Sequence, residues 1–99
     1  MSTSLTLEFS GGSEFLVGDQ KIHQAQIEGQ GIRVSDVFVW LRRHLLQDCD
    51  RTELLLQGET VRPGVLVLIN DTDWELFELE HTELKSGDKV TFISTLHGG

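Results

Sequence analysis

Leu5, Leu7 and Phe9 alternate with Thr6, Glu8 and Ser10 near the start of the chain. A period of two puts one side of such a segment in a core and the other in water, so it predicts a half-buried strand. Gly11-Gly12-Ser13 supplies a turn, after which Glu14 to Val17 can open a second strand. Gly18-Asp19 interrupts it, and Lys21 to Ile27 resumes with Ile22 and Ile27 apolar. The spacing of those two breaks the alternation, so a bulge or irregular pairing is expected. Gly29-Gln30-Gly31 reads as a loop, and the period then changes. Val34, Val37, Phe38, Leu41 and Leu45 recur at three and four residues, the apolar stripe of a helix, with Arg42, Arg43 and Gln47 mostly on the other side. Ser35 suits the N-cap and Asp36 the first turn, where the helix dipole favours negative charge. A helix from Ser35 to about Gln47 is expected, ended by Asp48-Cys49-Asp50.

The second half is strand-like. Glu53 to Gln57 is a short apolar run, and Gly58 and Arg62-Pro63-Gly64 punctuate it. Val65 to Ile69 is apolar throughout, which predicts a strand buried on both faces or nearly so. Asn70-Asp71-Thr72 turns the chain and Asp73 to Leu76 returns as a strand. Phe77 to Leu84 is acidic and poorly patterned. Ser86-Gly87-Asp88 is a turn, and Lys89 to Ser94 closes the fold with Val90 and Phe92 on one face and Thr91 and Ile93 on the other. The expected architecture is α+β in two layers, one main helix packed on a mixed sheet of four to five strands. Residues 1–94 form one domain, and 95–99 are left as a flexible tail without a core partner.

Composition narrows the function classes. A chain of 99 residues buries roughly 60–70% of its unfolded surface, enough for one core. The net charge of −8 argues against direct nucleic-acid binding and favours steering toward basic partners. A single cysteine, Cys49, excludes an internal disulfide. No apolar run approaches the ~20 residues of a membrane span, and the amino end lacks the pattern of a signal peptide. These features point to a soluble monomer of a reducing compartment, the cytoplasm or also the nucleus.

Side-chain chemistry finds little support. Gly29-x-Gly31 precedes a helix but lacks the third glycine of a dinucleotide fingerprint, and the chain is too short for a doubly wound sheet. Asp71-x-Asp73-x-Glu75 begins like a calcium loop, yet Leu76 and Thr82 stand where glycine and glutamate are needed. His23, His44, His81 and His97 lack partners at metal-ligand spacing, so no metal is expected. Cys49 reads as a passive thiol, and Trp74 as a packing or interface residue rather than a cofactor stacker. The acidic positions Asp71, Asp73, Glu75, Glu78, Glu80 and Glu83 run without a Lys or Arg between them until Lys85. They form a solvated face or a docking surface for a basic partner, and Asp71, Asp73, Trp74 and Glu75 are the docking candidates.

What remains is Thr95-Leu96-His97-Gly98-Gly99. Such an end is either a frayed terminus or an acyl donor. A carboxylate becomes a donor only after activation, and the chain end must then thread a narrow channel in another protein. Gly98 and Gly99 permit that close approach because they have no Cβ, while Thr95, Leu96 and His97 offer side chains to grip.

Three stretches carry a resemblance: Val61-Arg62-Pro63-Gly64-Val65, Leu68-Ile69-Asn70-Asp71-Thr72-Asp73-Trp74-Glu75-Leu76 and Phe92-Ile93-Ser94-Thr95-Leu96-His97-Gly98-Gly99. With the order of elements, they make the chain similar to the ubiquitin-related modifier family, the sulfur-carrier branch of the ubiquitin-like β-grasp proteins. The resemblance spans essentially the whole chain and departs at Phe77-Glu78, where a glycine is expected soon after Trp-Glu-Leu. It implies that an activating enzyme resembling ubiquitin's first-step enzyme adenylates the Gly99 carboxyl with ATP and Mg. That enzyme then converts it, through a persulfide, to a thiocarboxylate. Sulfur would pass to a tRNA thiolase complex acting on the wobble uridine, and the same carboxyl would be linked to lysines of target proteins. The chain would thus be a protein cosubstrate and not an enzyme, with no cofactor bound by itself. Two rival readings are the small sulfur-carrier subunit of a molybdopterin synthase and a ubiquitin-like interaction module with an inert tail.

Overall fold

The computed structural model describes residues 1–94. Its first strand, β1, spans Ser2–Ser10 and buries Thr3, Leu5, Leu7 and Phe9 on one face, as their alternation predicts. The chain then leaves the sheet. Residues Ser13–Val17, expected to open a strand, form a 3-10 helix between Gly12 at φ 107° and Gly18 at φ 81°. Ser13 and Val17 point into the protein while Phe15 is exposed, so that segment has a helical rather than an alternating burial pattern.

Strand β2, Ile22–Glu28, pairs antiparallel with β1 in an unbroken register from Ser2 opposite Glu28 to Glu8 opposite Ile22. The expected bulge is therefore absent from this ladder. Its alternation is real but is carried by His23, Ala25 and Ile27, the residues opposite Leu7, Leu5 and Thr3. His23 packs edge-on against Phe9, with ring centroids 5.6 Å apart, and Ile22 faces outward. A histidine standing in for an apolar residue hid the period from the sequence.

Helix α1 is Val34–His44 and buries Val34, Val37, Phe38 and Leu41. Its N-cap is Arg33, not Ser35: Asp36 Oδ2 accepts the Arg33 N–H at 2.9 Å, closing the first turn from inside. The start is set by long-range pairing, since Val34 N–H donates to the Thr82 carbonyl and Leu84 N–H to that of Ile32. The helix stops before Gln47 because the Leu45 and Leu46 amides both turn onto the Leu41 carbonyl, which swings Leu46 into the core.

The next elements are short. The expected strand at Glu53 to Gln57 is a 3-10 turn, Thr52–Leu54, followed by β3 (Leu56–Gln57), which pairs with β4 (Thr60–Val61). Strand β5, Val65–Ile69, buries Val65, Val67 and Ile69 but leaves Leu66 44% exposed, so it is covered on one face only. The expected return strand at Asp73 to Leu76 shrinks to β6 (Thr72–Asp73), and a 3-10 turn, Trp74–Leu76, follows. The reason is Trp74: turning there carries its indole into the core against Phe38, with centroids 6.1 Å apart. A further 3-10 turn, Leu79–His81, begins with Leu79 at φ 55°. A leucine held there costs about 1 kcal/mol relative to its relaxed backbone, and glycine would adopt that conformation freely.

Strand β7, Lys89–Ser94, is the centre of the sheet, whose order is β2-β1-β7-β5-β6. It runs parallel to β1 and antiparallel to β5. Phe92 is fully buried, stacked on Phe9 at 5.2 Å and tilted toward Phe38 at 6.3 Å. One helix across a mixed five-stranded sheet is the β-grasp arrangement. It makes the last described residue, Ser94, the end of the most firmly held strand.

Candidate functional site

The five tail residues singled out in the sequence, Thr95, Leu96, His97, Gly98 and Gly99, lie outside the described residues. The structure does describe the root from which they continue. Ser94 pairs with Val65 of β5, and Ile93 lies between Ser10 of β1 and Leu66 of β5. Behind this point the Gly11-Gly12-Ser13 turn closes on the strand. Gly11 has φ 68°, and a Cβ there would overlap the Ser94 carbonyl oxygen and come to 3.2 Å of the Ser94 main-chain N and C. Only glycine lets the two backbones approach this closely. Ser13 is buried, and its hydroxyl lies 2.9 Å from the Ser10 carbonyl and 3.0 Å from the Phe92 carbonyl, to either of which it can donate.

Gly11 and Ser13 thus fix the end of β7 from the far end of the chain, the Ser13–Phe92 contact spanning 79 residues. Sequence reasoning treated them as a turn alone, and no local signal marks the contact. Replacing Ser13 by Ala removes the hydroxyl from a buried site and leaves carbonyl capacity unmet, at about 1–2 kcal/mol. We expect the Ser13→Ala protein to melt roughly 5–15 °C lower in thermal unfolding followed by circular dichroism.

The docking candidates are placed elsewhere. Asp71 sits in the turn before β6 and meets Lys89 Nζ at 2.9 Å, and the same ammonium lies 3.6 Å from Glu8. The hydrogen bond that Lys89 donates to the Asp71 carboxylate leads the causes that raise the Lys89 pKa above the ordinary lysine value. Asp73 accepts the Glu75 N–H at 2.9 Å and so starts the following 3-10 turn. Glu75 is exposed, whereas Trp74 is 7% exposed, and its ring belongs to the core. Lys89 and Ser94 are the two ends of β7, roughly 17 Å apart at about 3.3 Å per residue. The fold therefore separates Asp71 from the tail root rather than joining them in one site, and Lys89 supplies the basic partner that the run from Asp71 to Glu83 lacks.

The outward face of the sheet behaves differently near the root. Leu66, Leu68, Thr91 and Ile93 point to this side, opposite the buried Val65, Val67, Val90 and Phe92. Thr91 is itself buried, and its hydroxyl oxygen has no partner among the described residues. Beside Ser94 the face is thus apolar with one unmet hydroxyl. Cys49 is half-buried against the core, and among the described residues no three His, Cys, Asp or Glu side chains gather as a metal site. No helix among them is long and apolar enough to cross a membrane.

The family model described as Urm1 (Ubiquitin related modifier) matches residues 4–99. The chain belongs to the ubiquitin-related modifier family. The match continues through the Gly-Gly end and includes the Gly11–Ser13 turn and the whole of β7. Among members of the family, the chain is 47% identical over 96 residues to the ubiquitin-related modifier 1 homolog of Chlamydomonas reinhardtii, covering 94% of this chain and 95% of that protein. It is 48% identical over 99 residues to ubiquitin-related modifier 1 of Bos taurus, covering 97% and 95%. The solution structure of Urm1 from Trypanosoma brucei superposes with a TM-score of 0.73 at 37% identity, covering 99% of this chain and 97% of that one. As a member of the ubiquitin-related modifier family the chain is a small protein modifier and not an enzyme.

Proposed function

We propose that the chain is a sulfur carrier and protein modifier whose reacting atom is the α-carboxyl carbon of Gly99. The observation that carries this is the family match running through residue 99, on a fold whose central strand ends at Ser94, five residues earlier. In the activating enzyme, a Gly99 carboxylate oxygen attacks the α-phosphorus of ATP, pyrophosphate leaves with Mg, and an acyl-adenylate forms. A persulfide of that enzyme attacks the acyl carbon and displaces AMP. A thiol then cleaves the acyl disulfide and frees the thiocarboxylate. The sulfur goes to a tRNA thiolase complex, for 2-thiolation of the wobble uridine. When a target lysine attacks the activated carbonyl instead, an isopeptide bond forms.

The chain's own part is presentation. Gly98 and Gly99 keep the acyl carbon accessible, and Thr95, Leu96 and His97 are the side chains for recognition. The face of Leu66 and Ile93 beside the tail root is the docking surface for the activating enzyme. Family membership favours this reading over a molybdopterin synthase subunit. The compartment proposed for this chemistry is the cytoplasm, or also the nucleus.

The test is intact-protein mass spectrometry after incubation with the activating enzyme, Mg-ATP and a sulfur donor. The expected result is replacement of one oxygen by one sulfur, mapped to the C-terminal peptide. An unchanged mass with an enzyme that activates other carriers would reject the proposal in favour of an inert interaction module.

A further inference from the structure

The two edges of the sheet are unequal. The β6 edge is two residues long, while the β2 edge runs for seven and contains neither proline nor lysine. The register tells which backbone groups that edge presents. Phe9 N–H donates to the Lys21 carbonyl at one end of the β1–β2 ladder, and Gly29 N–H to the Met1 carbonyl at the other. Odd-numbered residues of β2 therefore face β1, and even-numbered ones face away. Thr6 N–H of β1 donates to the Asp88 carbonyl on the opposite side, in the same alternation. The Ile22 carbonyl is occupied by the Gln20 side chain at 2.8 Å. The main-chain N–H and C=O groups of Gln24, Gln26 and Glu28 have no partner among the described residues. A row of this kind is a template for another strand.

Next to this edge, a groove opens between β2 and α1. Its apolar middle is made by Ile27, Val39 and Trp40, and Val39 is 49% exposed. Successive turns of α1 line it with Asp36, then Val39 and Trp40, then Arg43 and His44. Trp40 and His44 stack at 4.8 Å, which makes one flat wall. Glu28 joins Asp36 at one end, so the groove is acidic at that end, apolar in the middle and basic at the other.

We propose that β2 and this groove bind an extended peptide segment of a partner protein, added as a sixth strand. The segment has an apolar middle, a basic residue over Glu28 and Asp36, and an acidic residue over Arg43 and His44. Main-chain bonds to Gln24, Gln26 and Glu28 supply affinity, and the alternate side chains seated in the groove supply choice. The charge order of the walls selects a segment with both signs, whereas the net charge of −8 alone would select a basic one. This site lies at the sheet edge and does not use the tail.

The probe is a capped synthetic heptapeptide of two glutamates, three alternating valine and isoleucine residues and two lysines, titrated into the full-length protein labelled for NMR. Binding is expected to shift the Gln24, Gln26, Val39 and Trp40 amides and slow hydrogen exchange at Gln24 and Gln26 by tenfold or more. Gln26→Pro removes a donor that no other described residue uses, and an edge strand tolerates proline. It should retain the fold in thermal unfolding and weaken the peptide by about tenfold, as should Arg43→Glu. A peptide carrying only lysines at both ends should bind the groove more weakly. Unchanged exchange at Gln24 and Gln26, equal affinity of the variants, or shifts confined to Leu66 and Ile93 would overturn the proposal. So would concentration-dependent dimerisation of the peptide-free protein through β2, since a second copy would then own the edge.

Discussion

Deleting Gly98 and Gly99, or adding one residue after Gly99, is expected to reduce thiocarboxylate formation by a hundredfold or more while leaving the domain folded. Misplacing a reacting group by even about 1 Å can cost about a hundredfold in rate, and either change moves the acyl carbon by a residue or more. Among the described residues the core runs from Leu5 to Phe92, and neither change replaces any of them. The expected change in stability is therefore within about 0.5 kcal/mol, as for substitutions away from packed features. The intact-mass assay reads the chemistry and thermal unfolding reads the fold. Sulfur transfer that persists in the truncated chain would remove Gly99 as the reacting residue.

The second large effect is at Gly11. Gly11→Ala forces a Cβ onto the Ser94 carbonyl, at a residue with φ 68°. The left-handed backbone alone costs a side chain about 1–2 kcal/mol, and the contact is with backbone of the central strand, which has no rotamer by which to escape. We expect a loss of about 2–4 kcal/mol, read as a melting temperature roughly 10–25 °C lower. Gly12→Ala is the comparison: its Cβ meets nothing within 4 Å, although its φ is also positive. Equal losses at the two positions would show that backbone strain, and not closure on Ser94, sets the effect.

Where sequence and structure disagree, the disagreements share a cause. The strand at Glu14 to Val17 became a 3-10 turn because flanking glycines and Ser13 turn it onto β7. The return strand after Asp73 was cut short by burial of Trp74 against Phe38, which is distant in sequence. The helix began at Val34 because its first turn is tied to Thr82, Glu83 and Leu84. Each is a local preference overridden by a partner far along the chain, which periodicity cannot see.

The sequence by itself determined the strand at β1, the helix stripe, the closing strand Lys89–Ser94 and the family membership, which the Asn70–Leu76 run and the Thr95–Gly99 end carry together. These are readable because hydrophobic period and terminal motif are local properties of a chain. Only the tertiary structure decided what holds the tail root and which edge is open. It put Gly11 and Ser13 against β7, drew Trp74 inward, tied Asp71 to Lys89 and left the outer edge of β2 open beside α1. Those outcomes depend on register and on close approach between segments from opposite ends of the chain, which exist only once the sheet has formed.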